Sequence, residues 1–271
     1  MSMTMNGNER VQRLGGAAKV LALSIVVPTK NEADNVAPLV EELEQAFPQE
    51  RVEIIFVDDS TDGTPEAVRA VAQSARHEVK LIHRDPEKRT GGLSGAVVRG
   101  IEAARADHVC VMDGDLQHPP ALVPQLLAAA HETGADMVVA SRYCTEDKRV
   151  ESFRIVRAAV SKVSGAAAKF FFRGALRDVT DPLSGFFLVR RAAVELGALR
   201  PRGFKVLLEI LVRSSRLRTS DVPFQFGDRH SGESKATWRE GLTFISRLVC
   251  LRLSPTPPRS EGRHRHPLTA R

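Results

Sequence analysis

Cysteine and aromatic side chains are scarce in this chain. Its 271 residues hold three cysteines, Cys110, Cys144 and Cys250. They form no Cys-x-x-Cys pair, which removes zinc ribbons, dithiol redox motifs and a disulfide scaffold, and fits a reduced cytosolic setting. Aromatics are 5% of the residues, with one Trp and one Tyr, too few for the stacking platforms of single-strand nucleic-acid binders. No apolar run reaches the roughly 20 residues of a membrane-spanning helix. The run at 20–28 ends at Pro28, and residues 1–19 are polar, with no secretory core. A Gly-x-Ser-x-Gly elbow, a phosphate-loop pattern and a Gly-x-Gly-x-x-Gly spacing are all lacking, which argues against common hydrolase, nucleotide-triphosphatase and dinucleotide-binding sites.

Positive charge is present in excess. Lys and Arg number 39 against 33 Asp and Glu, a net charge of +6. A basic balance favours an anionic partner. No nucleic-acid reader motif accompanies it, so no nucleic acid is expected.

Continuous β-branched runs at 20–27, 52–57, 79–83, 108–112 and 137–140 read as strands buried on both faces. Helical spacing fills the segments between them, at 35–46, 64–75, from Gly91-Gly92 to about 106, and 121–133. Thr64 is the expected N-cap of the second helix, with Pro65 at its first position. This alternation predicts an α/β fold, a mostly parallel sheet flanked by helices. Further on, 181–190 reads as a loop entering a strand, 204–213 as a helix and 222–226 as a strand. The expected division is a leader at 1–19, a domain at 20–236, an amphipathic helix at 237–253 and a disordered Pro/Arg tail at 254–271.

Polar residues cluster just after the strands, where ligands bind in open α/β sheets. In Asp113-Gly114-Asp115-Leu116-Gln117 two carboxylates flank one small residue at a strand end. Such a pair suits a hard divalent cation, Mg²⁺ or Mn²⁺, whose remaining ligands come from water and phosphate. Gln117 can add a carbonyl. The competing reading is an Asp-Gly turn. Asp58-Asp59 can accept hydrogen bonds from a base or ribose, and Asn31 or Glu32 can hold a base; each also reads as an ordinary polar turn. Gly91-Gly92 is expected to allow close backbone approach at a helix N-terminus open to phosphate. His118 reads as a supporting residue rather than a catalyst.

In order along the chain stand Pro-Thr-Lys-Asn-Glu (28–32), Val-Asp-Asp-Ser-x-Asp-Gly-Thr (57–64), Gly-Leu-Ser-Gly-Ala (92–96) and Asp-Gly-Asp-Leu-Gln-His-Pro-Pro (113–120). Ser-Arg-Tyr (141–143), Asp-Pro-x-Ser-Gly-Phe (181–186) and Gly-Glu-Ser-Lys (232–235) follow. Together they resemble a family 2 glycosyltransferase of GT-A fold, and among these the dolichol- and polyprenol-phosphate mannosyltransferases, over roughly residues 23–250. The resemblance implies that Asp113, Asp115 and Gln117 hold the metal. It implies donor-binding roles for Pro28, Asn31, Glu32, Asp59, Asp113 and Lys235. Arg142, Arg157 and Ser161 would hold the lipid phosphate; Asp115, Arg142 and Arg229 would serve the reaction; Asp181 and Glu209 would line the same cleft. Lys30 stands where the family usually has Tyr or Phe.

The implied reaction is inverting transfer of a hexose, with mannose from GDP-mannose expected first, to a polyprenyl phosphate. UDP-glucose as donor and a soluble acceptor are the alternatives. Many bacterial relatives continue into a membrane domain; here attachment is expected from surface helices or from an anchoring partner protein. Segments 153–172 and 237–253 carry Phe153, Phe170, Phe171, Phe172, Trp238, Phe244 and Leu248 among Lys and Arg, a composition of helices lying in the interface plane. The expected location is the cytoplasmic face of a membrane.

Overall fold

Strands that are apolar at nearly every position need cover on both faces, and the arrangement of the chain supplies it. The computed structural model describes residues 20–143, 165–201, 203, 205–214, 217–225, 248 and 251. Among these, β1 (Leu21–Thr29), β2 (Arg51–Asp58), β3 (Glu78–His83), β4 (His108–Val111), β5 (Met137–Ser141), β6 (Phe187–Arg190) and β7 (Thr219–Pro223) form one sheet. Its order is β3-β2-β1-β4-β6-β5-β7. β1 runs parallel to β2 and β4, β2 to β3, and β5 to β7. β6 alone among the described strands is antiparallel to its neighbours, β4 and β5.

Successive side chains of a strand point to opposite faces, and each face has its own layer. Leu23, Ile25 and Val27 of β1 and Ile54 and Phe56 of β2 pack with Val36, Leu39 and Leu43 of α1 (Ala33–Ala46) and Leu126 of α4 (Val123–Thr133). Val68 of α2 (Thr64–Ser74) joins that layer. Val26, Ile55 and Val57 face the other way, onto Val97 and Ile101 of α3 (Gly92–Ala103) and Leu207 and Leu211 of α5 (Val206–Arg213). Burial on both faces is why these strands read as runs rather than alternations.

One charged group sits inside the frame. Glu53 of β2 is fully buried, accepting from Ser24 Oγ (2.6 Å), Lys80 Nζ (2.7 Å), Arg105 N (2.8 Å) and Arg105 Nε (2.9 Å). Burial pushes its carboxyl up, but these hydrogen bonds outweigh that and bring it down to about 2. The network ties β1, β2, β3 and the end of α3 together.

Three expectations need correction. The last strand lies at Thr219–Pro223, three residues before the expected segment; its half-buried polar residues hide the strand from a hydrophobicity reading. Thr64 does not cap α2: its N–H and hydroxyl both donate to Asp62 Oδ1 (3.1 and 2.6 Å), and its oxygen accepts from Glu32 N (2.9 Å). Leu248, expected at a lipid interface, is buried in the α3–α5 layer, and Leu251 packs against it. The leader, the tail and the rest of 237–253 lie outside the described residues.

Candidate functional site

The sheet order reverses between β1 and β4, and ligand crevices of open α/β sheets form at such switch points, beyond the carboxyl ends of the strands. The loops after β1, β2, β3, β4 and β5 all emerge at that end.

The loops after β1 and β2 are stitched together. Asn31, with φ +60°, donates its N–H to Ser60 Oγ (2.7 Å) and accepts from Thr61 N (3.0 Å) through Oδ1. Asn31, a candidate for holding a base, thus has its side-chain oxygen engaged within the protein. Glu32 is held by Asn35, whose Nδ2 donates to Oε2 (2.5 Å). Beneath them Asp58 is fully buried and accepts from Thr29 Oγ1 (2.9 Å), Ser60 Oγ (2.5 Å) and His83 Nδ1 (2.7 Å). Thr29, Asp58 and His83 are register partners across three strands, so their side chains share one face and can form this row. Pro28 is buried within β1, opposite Val57.

Asp59 meets a partner that sequence reading did not assign. Arg84, just after β3, donates Nε to Oδ1 (2.8 Å) and Nη2 to Oδ2 (2.5 Å). Its guanidinium also reaches the carbonyls of Thr90 (3.3 Å) and Gly92 (2.9 Å). The expected open helix N-terminus at α3 is filled by the protein itself. Ser94 N donates to Gly203 O (2.7 Å) and Gly203 N to Gly91 O (3.0 Å). Gly91 has φ +80°, and a Cβ there would lie 2.6 Å from Pro201 O, so the glycine admits backbone rather than phosphate.

The loop after β4 carries Asp113, Asp115 and Gln117. Gln117 N donates to Asp115 Oδ1 (3.2 Å), and Leu116 between them has φ +62°, a conformation L-residues avoid. That turn leaves the Asp113 side chain 43% exposed while Asp115 is buried. Among the described residues no group of three or more His, Cys, Asp or Glu is placed to hold a metal. Two carboxylates and an amide nevertheless fit Mg²⁺ or Mn²⁺, which take one or two carboxylates and fill the shell with water and substrate phosphate. They do not make a closed cage.

His118 lies under this loop. Its Nδ1 accepts from Asp113 N (2.9 Å), and its ring stacks on Phe186 (centroids 4.9 Å apart) with Phe224 edge-on (5.8 Å). Burial brings its pKa down to about 4, so it is neutral at neutral pH.

Across the loop after β5, Arg142 donates Nε to Asp181 Oδ2 (2.6 Å) and Nη2 to Asp181 Oδ1 (2.9 Å). Burial lowers the Arg142 pKa, but the pair with Asp181 outweighs it, so the guanidinium stays charged. Asp181 is buried and orients Arg142 by this two-point contact. Ser184 N donates to Asp181 O (3.2 Å), and a Cβ on Gly185 would lie 3.4 Å from Asp113 Oδ2. The Arg142–Asp181 pair and the Asp113 loop therefore share one end of the molecule. Glu209 is committed elsewhere, accepting from Arg200 N and pairing with Arg213 (3.3 Å). Arg157, Ser161, Arg229 and Lys235 lie outside the described residues. The site residues missed in the sequence are Arg84 as partner of Asp59, Asp58 as a hub, and Asn35 behind Glu32; polar residues at strand ends were the available signal.

Residues 24–197 match the model of the family described as Glycosyl transferase family 2. A dolichol-phosphate mannosyltransferase of Pyrococcus furiosus is 40% identical over 84% of this chain and 64% of its own length. The chain thus spans just under two thirds of that relative. A dolichol-phosphate mannosyltransferase of Saccharomyces cerevisiae is 32% identical over 83% of this chain and 85% of its own. Glucosyl-3-phosphoglycerate synthase from Mycobacterium tuberculosis, solved with Mn²⁺, uridine diphosphate and glucosyl-3-phosphoglycerate, has a TM-score of 0.58 at 19% identity, over 87% of this chain and 79% of that one. The sheet is that of the GT-A glycosyltransferases, and the matched segment contains both the Asp113–Gln117 loop and the Ser184–Phe186 turn. On these grounds the chain belongs to glycosyl transferase family 2.

Proposed function

We propose that this chain transfers a hexose, mannose from GDP-mannose, to the phosphate of a dolichyl or other polyprenyl phosphate with inversion at the anomeric carbon. The observation that carries the reading is the placement of the Asp113–Asp115 pair and the Arg142–Asp181 pair at one end of the sheet, in a chain that resembles dolichol-phosphate mannosyltransferases over most of its length. One pair suits a metal-bound diphosphate and the other an anionic acceptor.

An acceptor phosphate oxygen forms the new bond to the anomeric carbon. The bond from that carbon to the diphosphate breaks, and its electron pair leaves with the nucleoside diphosphate. The nucleophile is already anionic, so no strong general base is required, which accords with a buried, neutral His118. Asp113, Asp115 and Gln117 would hold a divalent ion, which would neutralise charge on the leaving diphosphate. Arg142, oriented by Asp181, draws the acceptor anion in against repulsion from the donor. By the family pattern, Arg157, Arg229 and Lys235 would add positive charge for the phosphates, and Ser161 a hydroxyl donor for the acceptor phosphate. Glu32, Asp59 and the Asn31 loop form the nucleoside end.

Among the described residues no helix is long and apolar enough to cross a membrane. Attachment to the cytoplasmic face is proposed through the segment ending at Arg173, where Phe170 is 66% exposed beneath the Arg173 guanidinium (5.1 Å). Phe172 is buried and belongs to the core instead. The buried Leu248 limits any lipid contact of 237–253 to its other residues.

The test supplies radiolabelled GDP-mannose, UDP-glucose and other sugar nucleotides separately, with polyprenyl phosphate and a divalent ion. Mannose label in the organic phase only when the lipid phosphate is present supports the reading. Label that stays aqueous and joins a soluble acceptor overturns it.

A further inference from the structure

We infer that His118 is a positioning residue: its Nδ1, by accepting the Asp113 backbone N–H, sets the carboxylate of Asp113 for the metal and registers it against the Ser184–Phe186 turn. The inference rests on the metal reading of the Asp113–Asp115 pair.

The His118 ring is clamped from the acceptor side of the site. Phe186 stacks on it with planes 20° apart, and Phe224 closes both rings edge-on, at 5.8 Å from His118 and 5.7 Å from Phe186. Both phenylalanines are buried and fixed to the end of β5, just before Arg142: Phe224 N donates to Ser141 O (3.0 Å), and Phe186 O accepts from Ala140 N (3.0 Å). On its other side the ring faces Asp113. With Nδ1 accepting the Asp113 N–H (2.9 Å), the ring proton sits on Nε2, 3.7 Å from Asp113 Oδ2. Gly185 completes the contact: a Cβ there would lie 3.3 Å from His118 Cε1 and 3.4 Å from Asp113 Oδ2. One ring thus touches the backbone and side chain of Asp113 and the turn that leads from Asp181 into β6.

Packing alone does not account for a histidine here. A phenylalanine fills an aromatic box without the cost of burying polar atoms. What it lacks is an acceptor at Nδ1. Groups behind a metal ligand orient it, and their loss commonly weakens metal binding 10- to 100-fold.

The test compares H118N, H118Q and H118F in the full chain. The amide oxygen of Asn can occupy the place of Nδ1; the amide of Gln reaches only the place of Nε2; Phe keeps the ring stack and has no acceptor. Mn²⁺ is titrated into each protein with GDP or UDP present and followed by electron paramagnetic resonance, beside the melting temperature. The expected result is Mn²⁺ affinity within about threefold of native in H118N and about 10- to 100-fold weaker in H118Q and H118F. H118F should melt nearest to native, so metal affinity and stability rank the variants in different orders. Native-like Mn²⁺ affinity in H118F, or equal affinities in H118N and H118Q, overturns the inference. Failure of the native protein itself to bind Mn²⁺ with either nucleotide overturns the metal reading and this inference together.

Discussion

Asp59 gives both carboxylate oxygens to Arg84, Oδ1 to Nε at 2.8 Å and Oδ2 to Nη2 at 2.5 Å, with both residues buried. The residue assigned to the donor nucleotide is thus already bound to a cation. Arg84 also holds the Thr90 and Gly92 carbonyls, so one guanidinium joins the end of β2 to the start of α3. A nucleoside meeting Asp59 meets a carboxylate of fixed orientation.

Breaking that pair should be costly. R84A leaves Asp59 buried without its cation, a loss of about 3–5 kcal/mol in such settings. R84K restores the charge but not the fork and should recover only part. Urea unfolding reads the stability, and calorimetry with GDP the donor site. An R84A protein within about 1 kcal/mol of native stability would contradict this account of the pair.

The metal reading predicts that D115A loses nearly all transfer, about 10³-fold or more, with D113A almost as severe. EDTA should silence the native enzyme until Mg²⁺ or Mn²⁺ is restored. Steady transfer through exhaustive chelation is the result that the Asp113–Asp115 assignment does not survive.

Glu53 predicts how stability responds to acid. Its folded pKa of about 2 lies below the unfolded value near 4.5, so its contribution is fully present above about pH 4.5 and is lost as pH falls towards 2. The difference corresponds to roughly 3 kcal/mol. The E53Q protein should be less stable at neutral pH and lose less on acidification between pH 5 and 3. Parallel acid profiles for the two proteins would remove Glu53 from the explanation.

Arg157 is assigned to the acceptor phosphate by its place in the Arg-x-x-x-Ser pattern. R157A should raise the KM for lipid phosphate at least tenfold and leave GDP affinity within about twofold. Separate acceptor kinetics and nucleotide calorimetry decide it; intact acceptor kinetics with lost GDP binding reverses the assignment.

Local patterns carried most of the frame. The runs of β1, β2 and β4 are apolar at nearly every position because helices cover both faces, and the polar residues that end them mark the crevice. Long-range pairing left no such trace. Nothing local to Arg84 names Asp59 as its partner, and nothing in Gly91-Gly92 tells a phosphate from the backbone of Pro201 and Gly203. The antiparallel β6 has the same composition as a parallel strand, and β7, half-buried and polar, does not read as a strand by hydrophobicity. His118 was visible as a lone histidine, but its role depends on Phe186 and Phe224, distant in sequence and adjacent in the fold.

The most direct measurement is the structure of the product. Native protein is supplied with GDP-α-mannose labelled at the anomeric carbon, polyprenyl phosphate and Mg²⁺, and the organic phase is analysed by mass spectrometry and by the anomeric carbon–hydrogen coupling in NMR. The account predicts one lipid species, polyprenyl phosphate plus one hexose, with the β configuration that single displacement requires. An α-linked product, or label found only on water-soluble species, would contradict it.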